Sequence, residues 1–379
     1  MTASTKTSGD VQEANKAAAA RFIRGFNDDD WDAVREVVAP GLVFHHPLGG
    51  SVEAGPEGMV STWAGFKVLS PDSWHPIPVM IADDDYVAVL LPTYGTFSGQ
   101  GEHAPPPTGG RLDYGMVNMV RLEGGKLAEM WFGMDSLVEM QQLGVAPPSA
   151  PRELTSMAEA NLTAFRRTVN DDDTQFDNVA AFDDVVVAIS PPQAQPETTT
   201  RRIEIYQFDR GAPARVYEHE LITNPPYGGD STAIGEVSRA LIQRWITEVL
   251  SEHEFGLTTA IVSPHLLIHP TAMPGEATYH GTDGASAWLE EQWTAFPDLS
   301  VTDHFTVACA DIVAVRWTAR GTSRGEYMGV PATAQPVEFT GVSMYRVEDG
   351  KIAEIWDTRN TLGILHQLNP DIGGHGHHH

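Results

Sequence analysis

Two stretches of the chain begin with the same hydrophobic pattern. Apolar residues recur every three or four positions, which predicts an amphipathic helix in each stretch. The positions are Ala20, Phe22, Ile23 and Phe26 in the first stretch, and Val237, Leu241, Ile242 and Trp245 in the second. A short strand ending in His45 or His269 follows, and then a second helix over 57–69 or 284–295. The rest alternates as strands do, so we expect an α+β fold with helices on one face of a curved antiparallel sheet.

A sequence repeat explains the shared pattern. Residues 121–135 (RLEGGKLAEMWFGMD) recur as 346–360 (RVEDGKIAEIWDTRN), and the offset of 225 continues through Gln142-Leu143 and Gln367-Leu368. We therefore predict two full copies of one domain, at 15–148 and 232–370. Each ends in a hairpin whose turn is Gly124-Gly125 or Asp349-Gly350.

The segments outside the two copies carry weaker signals. Residues 149–231 contain one helical pattern and one strand–turn–strand pattern, which fit either a shortened, degenerate third unit or an ordinary hairpin with linkers. The polar segment 1–14 is predicted to be disordered. The His-rich tail 371–379 is set aside from the fold as a tag-like segment.

Charge narrows the possible partners. The chain has 24 Lys and Arg against 51 Asp and Glu, a net charge of −27. Such a surface repels phosphate backbones and anionic lipids, so neither nucleic acid nor a membrane is an expected partner. No apolar run reaches about 18 residues and no signal peptide is evident, which predicts a cytoplasmic protein. Cys309 is the single cysteine and lies in an apolar run, as an inert buried thiol does.

Sequence motifs exclude several chemistries. A Walker loop, a GxGxxG fingerprint and a GxSxG elbow are all missing, and no His and carboxylate spacing typical of a metal site occurs in the body of the chain. We therefore expect neither a metal nor a nucleotide cofactor.

Asp135 is the leading candidate for acid–base chemistry. Alternation in the last strand of the first copy places Leu127, Glu129, Trp131 and Asp135 on one side. A carboxyl beside a Trp loses hydration, which raises its pKa and suits it to take and return a proton. Asp135 could equally cap the helix that begins at Ser136.

The second copy lacks this candidate acid. It has Asn360 at the matching position, and an amide cannot shuttle a proton. Asp357 lies on the opposite face by alternation, so it is not an obvious substitute. We therefore place the predicted catalysis in the first copy.

Histidine and arginine could assist Asp135. One of His45 and His46 must face inward, and it could hydrogen-bond a carbonyl or relay a proton, or simply be satisfied by backbone. Arg121 could hold an enolate or a carboxylate oxygen, or form an ion pair with Glu123 at the rim.

These motifs resemble a known family. Pro107-Thr-Gly109, Arg-x-x-x-Gly-Lys, Glu-x-Trp-x-x-x-Asp and Gln142-Leu-Gly144 together are similar to the SnoaL-like polyketide cyclases, or ester cyclases, of the nuclear-transport-factor-2-like (NTF2-like) superfamily. The resemblance covers both full copies. The second copy departs from it at Asn360 and at Gln367-Leu-Asn369, and the classical cyclases have a single domain.

The resemblance implies a fold and an activity. The fold would be two NTF2-like, cone-shaped α+β barrels, each a curved antiparallel sheet with helices on one face, flanking the shortened third unit. The activity would be cofactor-free intramolecular aldol ring closure of an aromatic polyketide ester, with Asp135 as general acid and base, which favours catalysis over capping.

The prediction for the site is therefore specific. The catalytic residues would be Asp135, His46 and Arg121. The substrate-binding residues would be His45, Trp63, Tyr114, Met116, Asn118, Glu129, Trp131, His269, Trp317, Trp356 and Asn360. The partner would be a hydrophobic small molecule, and the two copies could form an intrachain pseudo-dimer or the chain a homodimer. Two alternatives remain: a non-catalytic binding or scaffold protein, and an isomerase or dehydratase that uses the same base.

Overall fold

The computed structural model describes residues 8–47, 50–147, 149, 153–169, 176, 178–190, 193–194, 199–222, 224–272 and 278–371. Residues 1–7 and 372–379, which include most of the predicted tail, lie outside the described residues. Within the described residues, no helix is long and apolar enough to cross a membrane.

The first copy contains four helices and a six-stranded sheet. The helices are α1 (Ser8–Asn27), α2 (Trp31–Val37), α3 (Gly55–Leu69) and α4 (Ser136–Gln142). The strands are β1 (Val38–His46), β2 (Gly50–Glu53), β3 (Val79–Asp83), β4 (Tyr86–Thr96), β5 (Arg111–Glu123) and β6 (Lys126–Met134). Their order in the sheet is β2-β1-β6-β5-β4-β3, with β1 parallel to β6 and the other pairs antiparallel.

The middle segment is a smaller α+β unit. It contains α5 (Ser156–Thr168), β7 (Asn178–Phe182), β8 (Val185–Ile189), the short β9 (Gln193–Ala194), β10 (Thr199–Asp209) and β11 (Ala212–Ile222). The strand order β11-β10-β8-β7 repeats the order β6-β5-β4-β3, with no counterpart of β1 and β2 among the described residues. The segment therefore matches the second half of a full copy.

The second copy repeats the architecture of the first. Its helices are α6 (Gly229–Arg244), which continues as a π-helical segment Trp245–Ser251, then α7 (Thr258–Ile261), α8 (Gly281–Ala295) and α9 (Thr361–Leu368), with a 3₁₀ turn Phe255–Leu257 before α7. Its strands are β12 (Val262–His269), β13 (Tyr279–His280), β14 (Ser300–Cys309), β15 (Ile312–Thr322), β16 (Pro336–Glu348) and β17 (Lys351–Arg359). They are ordered β13-β12-β17-β16-β15-β14, as in the first copy.

The predicted fold class is confirmed, with two refinements. Both six-stranded sheets are open curved sheets and not closed barrels, since their described edge strands pair on one side only. Helix α1 begins at Ser8, so the prediction of disorder over 1–14 is wrong from that residue onward. The reason is tertiary: Lys16 is buried and donates to Asn224 and to the carbonyl of Pro225, while Glu13 accepts from the Tyr227 N–H.

Each large sheet has an inner face, which packs on its own helices, and an outer face. In β5 the side chains of Leu112, Tyr114 and Met116 lie in the helix-covered core, whereas Val117 and Met119 lie on the outer face. A β-bulge at Ala128, where Arg121 pairs with Glu129 but Leu122 pairs with Leu127, shifts the alternation in β6 by one residue. Leu127 therefore lies on the inner face, and its predicted grouping with Glu129 and Trp131 is wrong.

The outer faces of the two sheets pack against each other. Val117 and Met119 of the first copy, and Val342, Met344 and Trp356 of the second, belong to one buried apolar cluster. The sheets approach so closely that a Cβ on Gly133 would lie 2.8 Å from the Cβ of Val342. The interface therefore requires glycine at this point in β6.

The middle unit covers the remaining outer face of the second copy. There the carboxylate of Glu354 is completely buried and accepts from Arg201 of β10 at 2.9 Å, from Arg346 at 3.2 Å and from His269 at 2.6 Å. Burial opposes ionisation of Glu354, but these three groups outweigh it and hold its pKa well below the usual range.

The first copy has the same cluster without a cover. Glu129 contacts His45 at 2.8 Å and Arg121 at 3.2 Å, and its side chain is 26% exposed. No group of the middle unit takes the place of Arg201 here among the described contacts. The two clusters thus differ in burial while sharing their chemistry.

Matched glutamine substitutions should separate the two clusters. Glu354→Gln removes the carboxylate that two buried guanidiniums share, so we expect it to lower the free energy of unfolding by roughly 3–5 kcal/mol. Glu129→Gln, in the exposed cluster, should cost about 1 kcal/mol or less. Urea unfolding of both variants measures the difference, and equal losses would contradict this account of burial.

Candidate active site

The inner face of the first copy is filled by apolar side chains. Trp63, Tyr114, Met116 and Asn118, all predicted to line a pocket, lie here together with Phe132. The remaining cavity at the centre of this face is about 20 Å³, which is room for about one water. The first copy, as it stands, has no room for a substrate there.

The inner face of the second copy carries charged groups instead. Asp357 and Arg359 of β17 both point inward, with Arg359 Nε 2.7 Å from Asp357 Oδ2. Ser343 donates its hydroxyl to Asp357 Oδ1 at 2.8 Å, and Trp317 Nε1–H donates to Ser343 Oγ at 2.9 Å. Asp357 is 3% exposed. The Ser343 hydroxyl fixes one of its oxygens, and the Arg359 guanidinium fixes the other.

Aromatic rings surround the guanidinium of Arg359. Its central carbon lies 5.5 Å from the ring of Trp288, 5.6 Å from that of Trp317 and 5.9 Å from that of Phe339. Its Nη1 also donates to Gln292 at 2.9 Å. The cation is thus held in place by stacking and by hydrogen bonds, which favours a fixed orientation.

A large cavity leads to this pair. It has a volume of about 830 Å³ and is lined by both copies. Trp288, Gln292, Asp357 and Arg359 border both this cavity and the smaller apolar space behind it. A hydrophobic molecule of drug-like size therefore fits with its polar part at Asp357 and Arg359.

Asp135 lies at the mouth of the same cavity. Its Oδ1 caps α4, accepting from the N–H groups of Leu137 and Val138, and its Oδ2 accepts from the Thr361 hydroxyl at 2.8 Å. Burial raises its pKa to about 6 against the opposing effect of these hydrogen bonds. Asp135 therefore caps helix α4, as the alternative interpretation predicted. Its carboxyl also borders the large cavity next to Asp357 and Arg359.

Most of the other predicted site residues lie away from both inner faces. His45, Arg121, Glu129 and Trp131 are on the outer face of the first copy, where Arg121 pairs with Glu123 and Glu129. His269 and Trp356 are their buried counterparts in the second copy. The prediction that Trp131 lines the pocket is wrong because the face that carries it packs against the second sheet and Phe305.

Three predicted residues have other positions. His46 stacks on Phe132 and borders a cleft between the copies, and burial lowers its pKa. Asn360 caps α9 through the N–H of Gly363 and donates to the Pro47 carbonyl. Trp317 is the one predicted residue that lies beside Asp357.

The sequence reasoning set Asp357 aside and missed Arg359 and Ser343. Their signal is a comparison of the two copies, since Asp357 and Arg359 replace Phe132 and Met134 at the repeat offset of 225. Two charged residues in place of two apolar ones on the same strand face mark a candidate site. Among the described residues, no group of three or more His, Cys, Asp or Glu is placed to hold a metal ion.

The raised pKa of Asp135 predicts a pH-dependent effect on stability. A carboxyl whose pKa rises from about 4 to about 6 on folding favours the folded state at low pH and loses that contribution as pH rises. Asp135→Asn should therefore gain stability relative to the wild type between pH 4.5 and pH 8. Melting temperatures at both pH values measure this, with the exposed Asp28→Asn as the control. A pH-independent difference would contradict the burial of this carboxyl.

Comparison with known proteins supports the assignment of the fold. A profile of the SnoaL-like polyketide cyclase family matches residues 16–143 and 240–368. No curated protein matches the chain.

Solved structures resemble one copy at a time. IdmH from Streptomyces antibioticus, a candidate polyketide cyclase, is 30% identical over 35% of this chain and 97% of its own, with a TM-score of 0.31. AclR from Streptomyces galilaeus, a candidate hydroxylase, is 26% identical over 36% of this chain and 83% of its own, with a TM-score of 0.32. The family profile covers about two thirds of the chain, in two segments that coincide with the two copies. The chain belongs to the SnoaL-like polyketide cyclase family, with two copies of the family domain in tandem.

Proposed function

We propose that the second copy catalyses cofactor-free acid–base chemistry on a hydrophobic carbonyl compound, namely intramolecular aldol ring closure of a polyketide-type ester. The observation that carries the proposal is the Asp357–Arg359 pair inside an aromatic-lined cavity of about 830 Å³. Membership of the cyclase family is consistent with it.

Asp357 would remove the proton. Its carboxylate is oriented by Ser343 and by Arg359, so an oxygen faces the cavity in a fixed position. A substrate carbon next to a carbonyl would lose its proton to this oxygen, and the electron pair of the C–H bond would move onto the carbonyl oxygen as an enolate.

Arg359 would stabilise the enolate. Its guanidinium is charged, held by three aromatic rings, and lies where water is largely excluded, so its interaction with a developing negative oxygen is strong. The enolate carbon would then attack a second carbonyl of the same molecule. The new C–C bond would leave an alkoxide that takes the proton back from Asp357.

The cavity walls would contribute by folding the substrate. Trp288, Tyr279 and Tyr327 line the cavity and provide flat apolar surfaces that hold the two reacting carbons together, and this proximity lowers the barrier. Asp135, with a pKa of about 6, would exchange protons with solvent at the mouth near neutral pH. The predicted role of Asp135 is thereby reduced from base to relay.

The first copy would have a structural role. Its inner face is filled and carries Phe132 and Met134 in place of the charged pair. It would support the second sheet and close one side of the cavity mouth with Asp135, Leu137 and Val138. The scaffold alternative thus applies to this copy.

Replacing the base should abolish turnover. Asp357→Asn keeps the shape and loses the proton acceptor, so we expect the rate of ring closure to fall at least about 100-fold. The assay is conversion of a panel of aromatic polyketide methyl esters, followed by mass spectrometry. Asp349→Asn, the same change at an exposed turn of the same hairpin, is the matched control.

The outcomes distinguish the alternatives. Loss of turnover in Asp357→Asn with unchanged substrate binding and melting temperature supports the proposal. Unchanged turnover in this variant would rule out Asp357 as the base. Tight binding of the esters by wild-type protein without any conversion would favour a binding protein instead.

A further inference from the structure

A second cavity lies between the two copies and shares Arg359 with the cavity of the proposed catalytic pair. It has a volume of about 210 Å³ and lies where the ends of β1, β6 and β17 meet. Its walls include His46 and Pro47 of the first copy and Arg316, Thr340, Arg359 and Asn360 of the second. We refer to it as the interdomain cleft.

The charges of the interdomain cleft differ from those of the whole protein. The chain has 51 acidic residues and a net charge of −27, yet none of the described residues that line the cleft is Asp or Glu. Two arginines and two histidines line it instead. Arg359 and His45 already pair with Asp357 and Glu129, so Arg316 is the cation of the cleft without an ion pair among the described residues. A concave site with cations and without acids is a favourable place for an anion.

Arg316 is the central residue of the cleft. Its Nη1 donates to the carbonyls of Trp317 at 2.9 Å and Gly341 at 3.1 Å. It forms no ion pair with any residue that the structure describes, and burial lowers its pKa. A partly buried guanidinium without a counter-charge is costly, and a bound anion would remove that cost.

The positive charge is a specific feature of the second copy. In the first copy, Val117 is flanked by Leu90 and Gly133. The matching residue Val342 is flanked by Arg316 and Thr358. The second copy thus has Arg316 where the first has Leu90, and Thr358 where the first has Gly133.

Other groups in the cleft can complete the site. Asn360 directs its Nδ2 toward this region, where it donates to the Pro47 carbonyl at 3.0 Å. Thr340 and the ring of His46 also line the cavity. The volume of about 210 Å³ is below the roughly 300–1,000 Å³ of pockets that hold drug-sized ligands, so it suits a compact anion better than a polyketide.

We propose that the interdomain cleft binds a small oxyanion, a phosphate or a short carboxylate, through the guanidinium of Arg316. The anion would join the two copies electrostatically, with Arg316 and Asn360 on one wall and His46 on the other. The site adjoins the proposed catalytic pair, because Arg359 borders both cavities, but neither Asp357 nor Ser343 lines it.

Calorimetric titration at low ionic strength tests this site. Inorganic phosphate and malonate are titrated separately into the wild-type protein, and the tighter ligand identifies the class. Arg316→Leu introduces the residue of the first copy, and we expect it to weaken binding at least tenfold. Arg316→Gln keeps a donor for the two carbonyls but removes the charge, and we expect it to weaken binding by a similar factor. It serves as the test if Arg316→Leu does not fold.

The control is another arginine of the same strand. Arg320 pairs with Glu338 on the surface, so Arg320→Leu should bind the anion as the wild type does. Binding of either probe that depends on Arg316 and not on Arg320 supports the proposal. Failure of both probes to bind the wild type at millimolar concentration, or unchanged binding by Arg316→Gln, would overturn it. Neither result bears on ring closure at Asp357.

Discussion

Burial of the two outer sheet faces against each other is the interaction on which the rest of the structure depends. Each buried Val, Leu, Ile or Met in this interface contributes roughly 1.5–3 kcal/mol, and Gly133 lets the sheets approach closely. Because the outer faces are largely used for packing, a hydrophobic substrate has to bind on an inner face. A polar residue that points inward from β17 is then in a position to act on a ligand, whereas Trp131 and Trp356 are structural.

The duplication and the order of elements could be predicted from local signals. The offset of 225, the helical periodicities and the turns at Gly124-Gly125 and Asp349-Gly350 are all readable in the sequence, and both turns have the positive φ angles that such hairpins need. The identity of the two strand faces could not be predicted, because alternation separates the faces without showing which one meets the partner sheet. The β-bulge at Ala128 also could not be predicted, and it put Leu127 on the inner face instead of the predicted face of Glu129 and Trp131.

The two copies share one fold and differ in the charged residues that they carry. The first has Phe132 and Met134 where the second has Asp357 and Arg359, and its Glu129 is open where Glu354 is covered by Arg201. Arg316 replaces Leu90 in the same way. The second copy therefore carries the inward-facing charged pair, the buried glutamate that Arg201 covers, and the arginine of the interdomain cleft. The net charge of −27 does not describe these sites, because Arg359 lies in the proposed catalytic cavity and Arg316 lies in the interdomain cleft.

Crystallographic localisation of a bound aromatic polyketide ester or its cyclised product tests the central claim most directly. The account predicts electron density in the cavity of the second copy, with a carbonyl oxygen within hydrogen-bonding distance of Arg359 and a carbon next to it facing Asp357. The first copy should contain no ligand beside Phe132. Density on the inner face of the first copy, or against Arg121 on its outer face, would contradict the assignment of catalysis to the second copy.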